Sequence, residues 1–157
     1  MYITTIYSKL SKKQKKKLLL FLQENFEQSK FDFEPLTIII LYILENEIVG
    51  CICLYDNKYL LEKINEYNIP LSYYSFNNSH GCFIYNLCVH KDHRNKKIGY
   101  NLINYTIEKM LELKINYLHT QAQTEISRIL FLKNGFVENN SFIGSNNVKV
   151  YVMYKYI

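Results

Sequence analysis

Apolar positions along this chain alternate between two periods, and the switches mark the elements. Tyr2 to Tyr7 (YITTIY) gathers aromatic and β-branched residues and reads as a first strand. Ser11 is placed to cap the helix that follows. Leu18, Leu19, Phe21, Leu22 and Phe26 give that helix an apolar face opposite its lysines. Thr37 to Leu44 and Ile48 to Tyr55 return to strand character, and the polar bridge Glu45-Asn46-Glu47 is short enough to make them a hairpin. Gly50, inside the second of these strands, predicts a bulge or a close backbone approach.

The stretch from Asp56 to Gly81 is too long for a tight turn. It holds a short helix around Tyr59 to Asn65, then Pro70 and the polar run Asn77-Asn78-Ser79-His80-Gly81. Cys82 to Val89 (CFIYNLCV) is a strand, His90 to Lys97 is polar, and Ile98 to Leu113 carries apolar residues at helical spacing. Ile115 to Gln121 predicts another strand. Glu125 to Lys133 predicts a short helix stopped by Asn134-Gly135, and Phe136 to Phe142 and Val148 to Tyr156 predict two further strands. No internal repeat is present.

Composition bounds this picture. At 157 residues, 48% apolar and 21% charged, the chain has the make-up of one packed domain spanning 1–157, with 56–81 as a variable excursion. No basic stretch followed by an apolar run opens it, and no apolar run approaches the roughly 20 residues of a membrane-spanning helix, so a cytoplasmic location without membrane contact is expected. Cys51, Cys53, Cys82 and Cys88 lie in strand-like sequence, as buried free thiols do in a reducing compartment, and they lack zinc-ribbon spacing, so no metal is expected. The net charge of +5 favours an anionic partner. The lysines from 12 to 17 lack interleaved aromatics and read as a solvated helical turn, which argues against nucleic acid as that partner.

One segment concentrates the chemistry. A strand entering a helix through HKDHRNKKIG offers unpaired backbone N–H groups and the positive end of a helix dipole, a natural pyrophosphate cradle, with Arg94, Lys96 and Lys97 adding charge. Here the sequence resembles the GCN5-related N-acetyltransferase (GNAT) superfamily. Its acetyl-CoA motif runs from a Leu-x-Val strand through Arg/Gln-x-x-Gly-x-Gly/Ala. The matching residues are Leu87-Cys88-Val89, then Arg94-Asn95-Lys96-Lys97-Ile98-Gly99. Glu47-Ile48-Val49-Gly50 and Phe131-Leu132-Lys133-Asn134-Gly135-Phe136 are similar to two further family segments, in the family's order.

The resemblance implies an α/β (α+β) fold with a mixed, largely antiparallel sheet of six to seven strands and about four helices. It also implies acetyl-CoA as co-substrate and acetyl transfer to an amine by direct attack. The backbone of Leu87, Cys88 and Val89 would hold the pantetheine and polarise the acetyl carbonyl. The amides of Arg94, Asn95, Lys96, Lys97, Ile98, Gly99 and Tyr100 would bind pyrophosphate. Asn95 and Lys97 replace common family glycines, and a side chain at Gly99 would crowd the helix against the cofactor.

A lysine-type amine has a pKa of about 10.4, so its proton must be accepted directly or through water. His119 aligns with a family position that often carries a histidine or carboxylate acting through water, and Tyr85, on the adjoining strand, is the candidate to order that water or the substrate. A histidine satisfied by a neighbour and a tyrosine used for packing are the competing readings. Phe131 stands where the family often has the tyrosine that protonates the leaving thiolate, which keeps a non-catalytic CoA-binding or nucleic-acid-binding module open as the alternative. The acceptor is left between a protein or peptide amine and a small amine such as an aminosugar phosphate. Val148 to Ile157 and the 56–81 segment are the candidate homodimer surfaces.

Overall fold

The computed structural model describes residues 1–26, 31, 33–76 and 80–157. Asn77, Asn78 and Ser79 of the expected polar run lie outside these residues. The elements run β1 (Tyr2–Ile6), α1 (Lys12–Asn25), β2 (Ile38–Leu44), β3 (Glu47–Asp56), α2 (Asn57–Glu66), β4 (Gly81–Val89), α3 (Ile98–Glu112), β5 (Tyr117–Ala122), α4 (Glu125–Lys133), β6 (Val137–Ile143) and β7 (Lys149–Tyr156). Short 3-10 turns occupy Tyr7–Lys9, Leu71–Tyr73 and Lys91–His93.

The seven strands form one sheet in the order β1-β2-β3-β4-β5-β7-β6. Every pairing is antiparallel except β4 with β5, which run parallel. The expected class, a mixed and largely antiparallel sheet with four helices, is the one observed.

Alternation along the strands builds two apolar layers. Ile40, Ile52, Leu54 and Ile84 face Leu102, Ile103 and Met110 of α3. Ile39, Leu41, Cys51, Cys53 and Cys88 face Leu18, Phe21 and Leu22 of α1. On that second side α2 lays Leu60 and Ile64 on Phe83. Ser11 caps α1 in a reciprocal box with Gln14, and the lysines of the first turns face outward, Lys17 pairing with Glu47 at 3.5 Å. The β2–β3 register slips between Tyr42 and Ile43, next to Gly50, and a Cβ on Gly50 would stand 2.6 Å from Leu102 Cδ1. Both expectations for that glycine are therefore met.

Two irregularities shape β4. Cys53 pairs with Asn86 and Leu54 with Ile84, so Tyr85 is an extra residue, a bulge. It reverses the parity of the strand: Ile84 faces α3, whereas after the bulge Leu87 and Val89 do so and Cys88 faces α1. The ladder to β5 then ends. Its rungs run from Gly81–Tyr117 to Ile84–Thr120, where the Thr120 hydroxyl donates to the Ile84 carbonyl at 2.8 Å, and beyond that point the two parallel strands have no further rungs.

Candidate active site

The gap left between β4 and β5 opens into a cleft of about 540 Å³ walled by β4, the start of α3 and the start of α4. Alternation fixes which backbone groups face it. The His90 N–H donates to the Val49 carbonyl, so Cys88 and Asn86 direct their amides back to β3, while Leu87 and Val89 turn theirs toward the gap. Arg94 already uses one of these groups, its Nε donating to the Val89 carbonyl at 3.2 Å.

At the mouth of the cleft the backbone of Asn95 (φ 62°) and Lys97 (φ 59°) is left-handed. The two residues that replace glycines thus adopt the conformation glycine would have favoured, curling consecutive N–H groups into an anion-binding concavity. Asn101 N–H is the first in α3 to find a carbonyl, that of Lys97, so Ile98, Gly99 and Tyr100 present free amides. A Cβ on Gly99 would meet Leu130 Cδ2 of α4 at 3.0 Å. The crowding expected there falls on the helix that forms the opposite wall. These features fit a pyrophosphate group and an extended thiol-bearing arm.

Of the residues expected to hold the cofactor, Leu87, Cys88, Val89, Arg94, Asn95, Lys97, Ile98, Gly99 and Tyr100 line this cleft. Lys96 does not; its ammonium is turned back onto the Asp92 carbonyl at 3.2 Å. Burial and a neighbouring thiol push the Cys88 sulfhydryl up to about 12, with Arg94 opposing, so it stays protonated.

The two catalytic candidates are elsewhere. His119 is fully buried at the ladder rung opposite Phe83, ringed by Phe76, Phe83 and Tyr117. Its Nε2 meets Asn57 Oδ1 at 2.6 Å and its Nδ1 has no partner. Burial lowers its pKa to about 3. His119 is not among the residues that line the cleft, and burial keeps its imidazole neutral at pH 7. Tyr85 lies on the α1 and α2 side of the sheet, stacked on Tyr55 at 4.0 Å, with burial pushing its phenol pKa far up. Phe131 is 2% exposed and meets Phe136 edge-on at 5.0 Å, so that position belongs to the core.

Sequence reasoning passed over several residues of the cleft. Asn25 and Phe26 close it from the end of α1, and the Lys91 N–H donates to the Asn25 side chain at 3.0 Å. Thr124, Ser127 and Leu130 form the α4 wall, and the Thr124–Ser127 capping box was legible as a Thr-x-x-Ser start. His93, read from the sequence as part of the polar run His90 to Lys97, lines the cleft as well. Outside the cleft lining, Asn86, one residue past the bulge, carries a buried Nδ2 without a partner. Nothing in the sequence separates it from an ordinary strand asparagine. Among the described residues no group of three or more His, Cys, Asp or Glu is arranged to hold a metal ion, and no helix is long and apolar enough to cross a membrane.

This is the architecture of an acyl-transfer enzyme. The chain belongs to the acetyltransferase (GNAT) family, whose model matches residues 4–136. Solved structures of the same fold include an acyl-CoA N-acyltransferase from Pseudomonas aeruginosa (TM-score 0.75, 14% identity, 99% of this chain and 98% of that one). An aminoglycoside 6'-N-acetyltransferase complexed with coenzyme A is similar too (TM-score 0.70, 14% identity, 98% and 96%). So is the ribosomal-protein-S18-alanine N-acetyltransferase of Escherichia coli (TM-score 0.67, 10% identity, 100% and 94%). At these identities the likeness is one of fold. No curated protein matches the chain by sequence.

Proposed function

We propose that the chain transfers an acetyl group from acetyl-CoA to a primary amine by direct attack, in the cleft between β4 and β5. The observation that carries this reading is the end of the β4–β5 ladder at Ile84 and Thr120, which frees the backbone of Leu87 and Val89 beside the unpaired amides of Ile98, Gly99 and Tyr100. Acetyl-CoA supplies the activated acetyl group. The free amides and the positive charges of Arg94 and Lys97 hold the pyrophosphate. The Leu87 N–H stabilises negative charge that develops on the acetyl oxygen as the amine attacks, and it does so without rearranging.

His119 takes no proton in this scheme. Through Asn57 it fastens the start of α2 to β5. As the C–N bond forms the thioester C–S bond breaks, the CoA thiolate leaves and takes a proton from water, and the amine's proton passes to water. A cytoplasmic location belongs to the same proposal and is supported by four buried, unpaired thiols. Enzymes of this fold are named for acceptors as different as a ribosomal-protein alanine and an aminoglycoside, so the test spans both kinds. Thiol release from acetyl-CoA is followed while N-terminal peptides, aminosugar phosphates, polyamines and aminoglycosides are supplied in turn. One class is expected to stimulate release at least about tenfold. Binding of acetyl-CoA with no stimulation by any amine would refute the enzyme reading and favour a CoA-binding module.

A further inference from the structure

Arg94 stands where the chain passes from the end of β4 to the phosphate cradle: it follows the Lys91–His93 turn and precedes the left-handed Asn95. Its own N–H is turned back to the Lys91 carbonyl at 3.4 Å, so the guanidinium is what this residue offers a ligand. That side chain is exposed and lines the cleft. Among the described residues one hydrogen bond holds it, from Nε to the Val89 carbonyl at 3.2 Å, and the other donors of the fork have no partner there.

The acceptor of that bond belongs to the other half of the cleft. Val89 faces Gly50 at a rung without hydrogen bonds, so its carbonyl, like its amide, points into the gap beyond the last β4–β5 rung. An amide-bearing arm laid along β4 needs this oxygen for its own N–H, and the guanidinium and the arm therefore compete for it. Phosphate offers Arg94 a better partner than the neutral carbonyl does, because it adds a full opposite charge and accepts two N–H bonds at once. A diphosphate in the cradle draws the guanidinium off Val89, whereas a donor without one meets the carbonyl still engaged.

We propose that Arg94 selects the acyl donor, yielding the Val89 carbonyl to the pantetheine arm when a diphosphate takes up its guanidinium. The class admitted is the thioester of CoA. The class disfavoured is the same thioester on an arm that lacks the diphosphate. The inference rests on the acetyl-CoA reading of this cleft and adds to it a residue that couples the two ends of the donor.

The full-length chain is titrated calorimetrically with acetyl-CoA and, separately, with S-acetylpantetheine, which has the arm and no phosphate. Arg94→Ala should weaken acetyl-CoA about tenfold and tighten S-acetylpantetheine about threefold, so the preference between the two donors falls about thirtyfold. Lys91→Gln removes a charge from the same turn, on an exposed side chain outside the cleft lining, and should leave the S-acetylpantetheine affinity unchanged. A gain of affinity in Arg94→Ala cannot come from a general loss of structure. If acetyl-CoA binds the wild type while Arg94→Ala leaves S-acetylpantetheine unchanged, weaker or without saturation, the contact with Val89 is a plain staple; the inference is then overturned and the cofactor reading stands. If acetyl-CoA does not bind the wild type, both fall.

Discussion

Replacing His119 with glutamine tests whether its imidazole is a buried neutral group or a working base. The unfolded imidazole titrates near 6.5, the folded one near 3, and burial is the cause. Above about pH 7 both states are neutral and the residue contributes nothing to pH dependence. As pH falls below 6.5 the unfolded chain takes up a proton that the folded chain refuses, so stability is lost at up to about 1.4 kcal/mol per pH unit until the folded pKa near 3 is passed. Between pH 7 and pH 5 the loss from this residue alone works out at about 2 kcal/mol.

Urea unfolding followed by circular dichroism at the two pH values, in wild type and His119→Gln, measures it. Carboxylate contributions are common to both proteins and cancel in the comparison. The variant should start less stable, because the bond to Asn57 is altered, and should lose about 2 kcal/mol less on acidification. Parallel losses in the two proteins would refute the argument. So would a His119→Gln enzyme that folds but loses the alkaline-rising limb of its pH–rate profile, since that would return the imidazole to the chemistry.

Lys97 sits at φ 59°, where a side chain costs about 1 kcal/mol, so Lys97→Gly should raise the unfolding free energy in urea by up to that amount while weakening CoA binding through the lost charge; a lower stability would contradict the backbone account. Gly50→Ala, whose new methyl would stand 2.6 Å from Leu102, should cost about 1–3 kcal/mol in the same assay, and a neutral result would mean that α3 yields freely. The four cysteines are buried, with Cys82 and Cys88 pushed up to about 12 mainly by burial. Ellman's reagent should therefore find almost no thiol in the native protein and all of them in denaturant, and fast native labelling would show that one of the two layers over the sheet opens.

Most of the strands and helices were legible because each has a single dominant period. Ser11, the hairpin at Glu45-Asn46-Glu47 and the stop at Asn134-Gly135 are local signals that the structure repeats, Gly135 with φ 79°. The cofactor residues were legible as a linear run because a phosphate cradle is built from consecutive amides. What could not be read depends on distant partners. His119 is kept neutral by burial among aromatic neighbours, and its hydrogen-bond partner, Asn57, lies 62 residues away in sequence. The α4 wall of the cleft follows from where the β4–β5 ladder stops, and no periodicity encodes that end point. The left-handed backbone at Asn95 and Lys97 runs against the preference of a lysine, so tertiary context supplies it.

The bulge at Tyr85 makes β4 a counting device. Ile84 and Leu87 face the same side of the sheet although they are three positions apart, and the positions after them to Val89 keep that phase. Deleting Tyr85 would only remove the bulge and leave Leu87, Cys88 and Val89 opposite Ile52, Cys51 and Gly50 as they are. Deleting Leu87 instead would put Cys88 in its place, facing α3 and turning its amide to the gap, and Val89 would face α1. Substitutions along this stretch are matters of degree, whereas a residue lost beyond the bulge is a change of reading frame for the cleft.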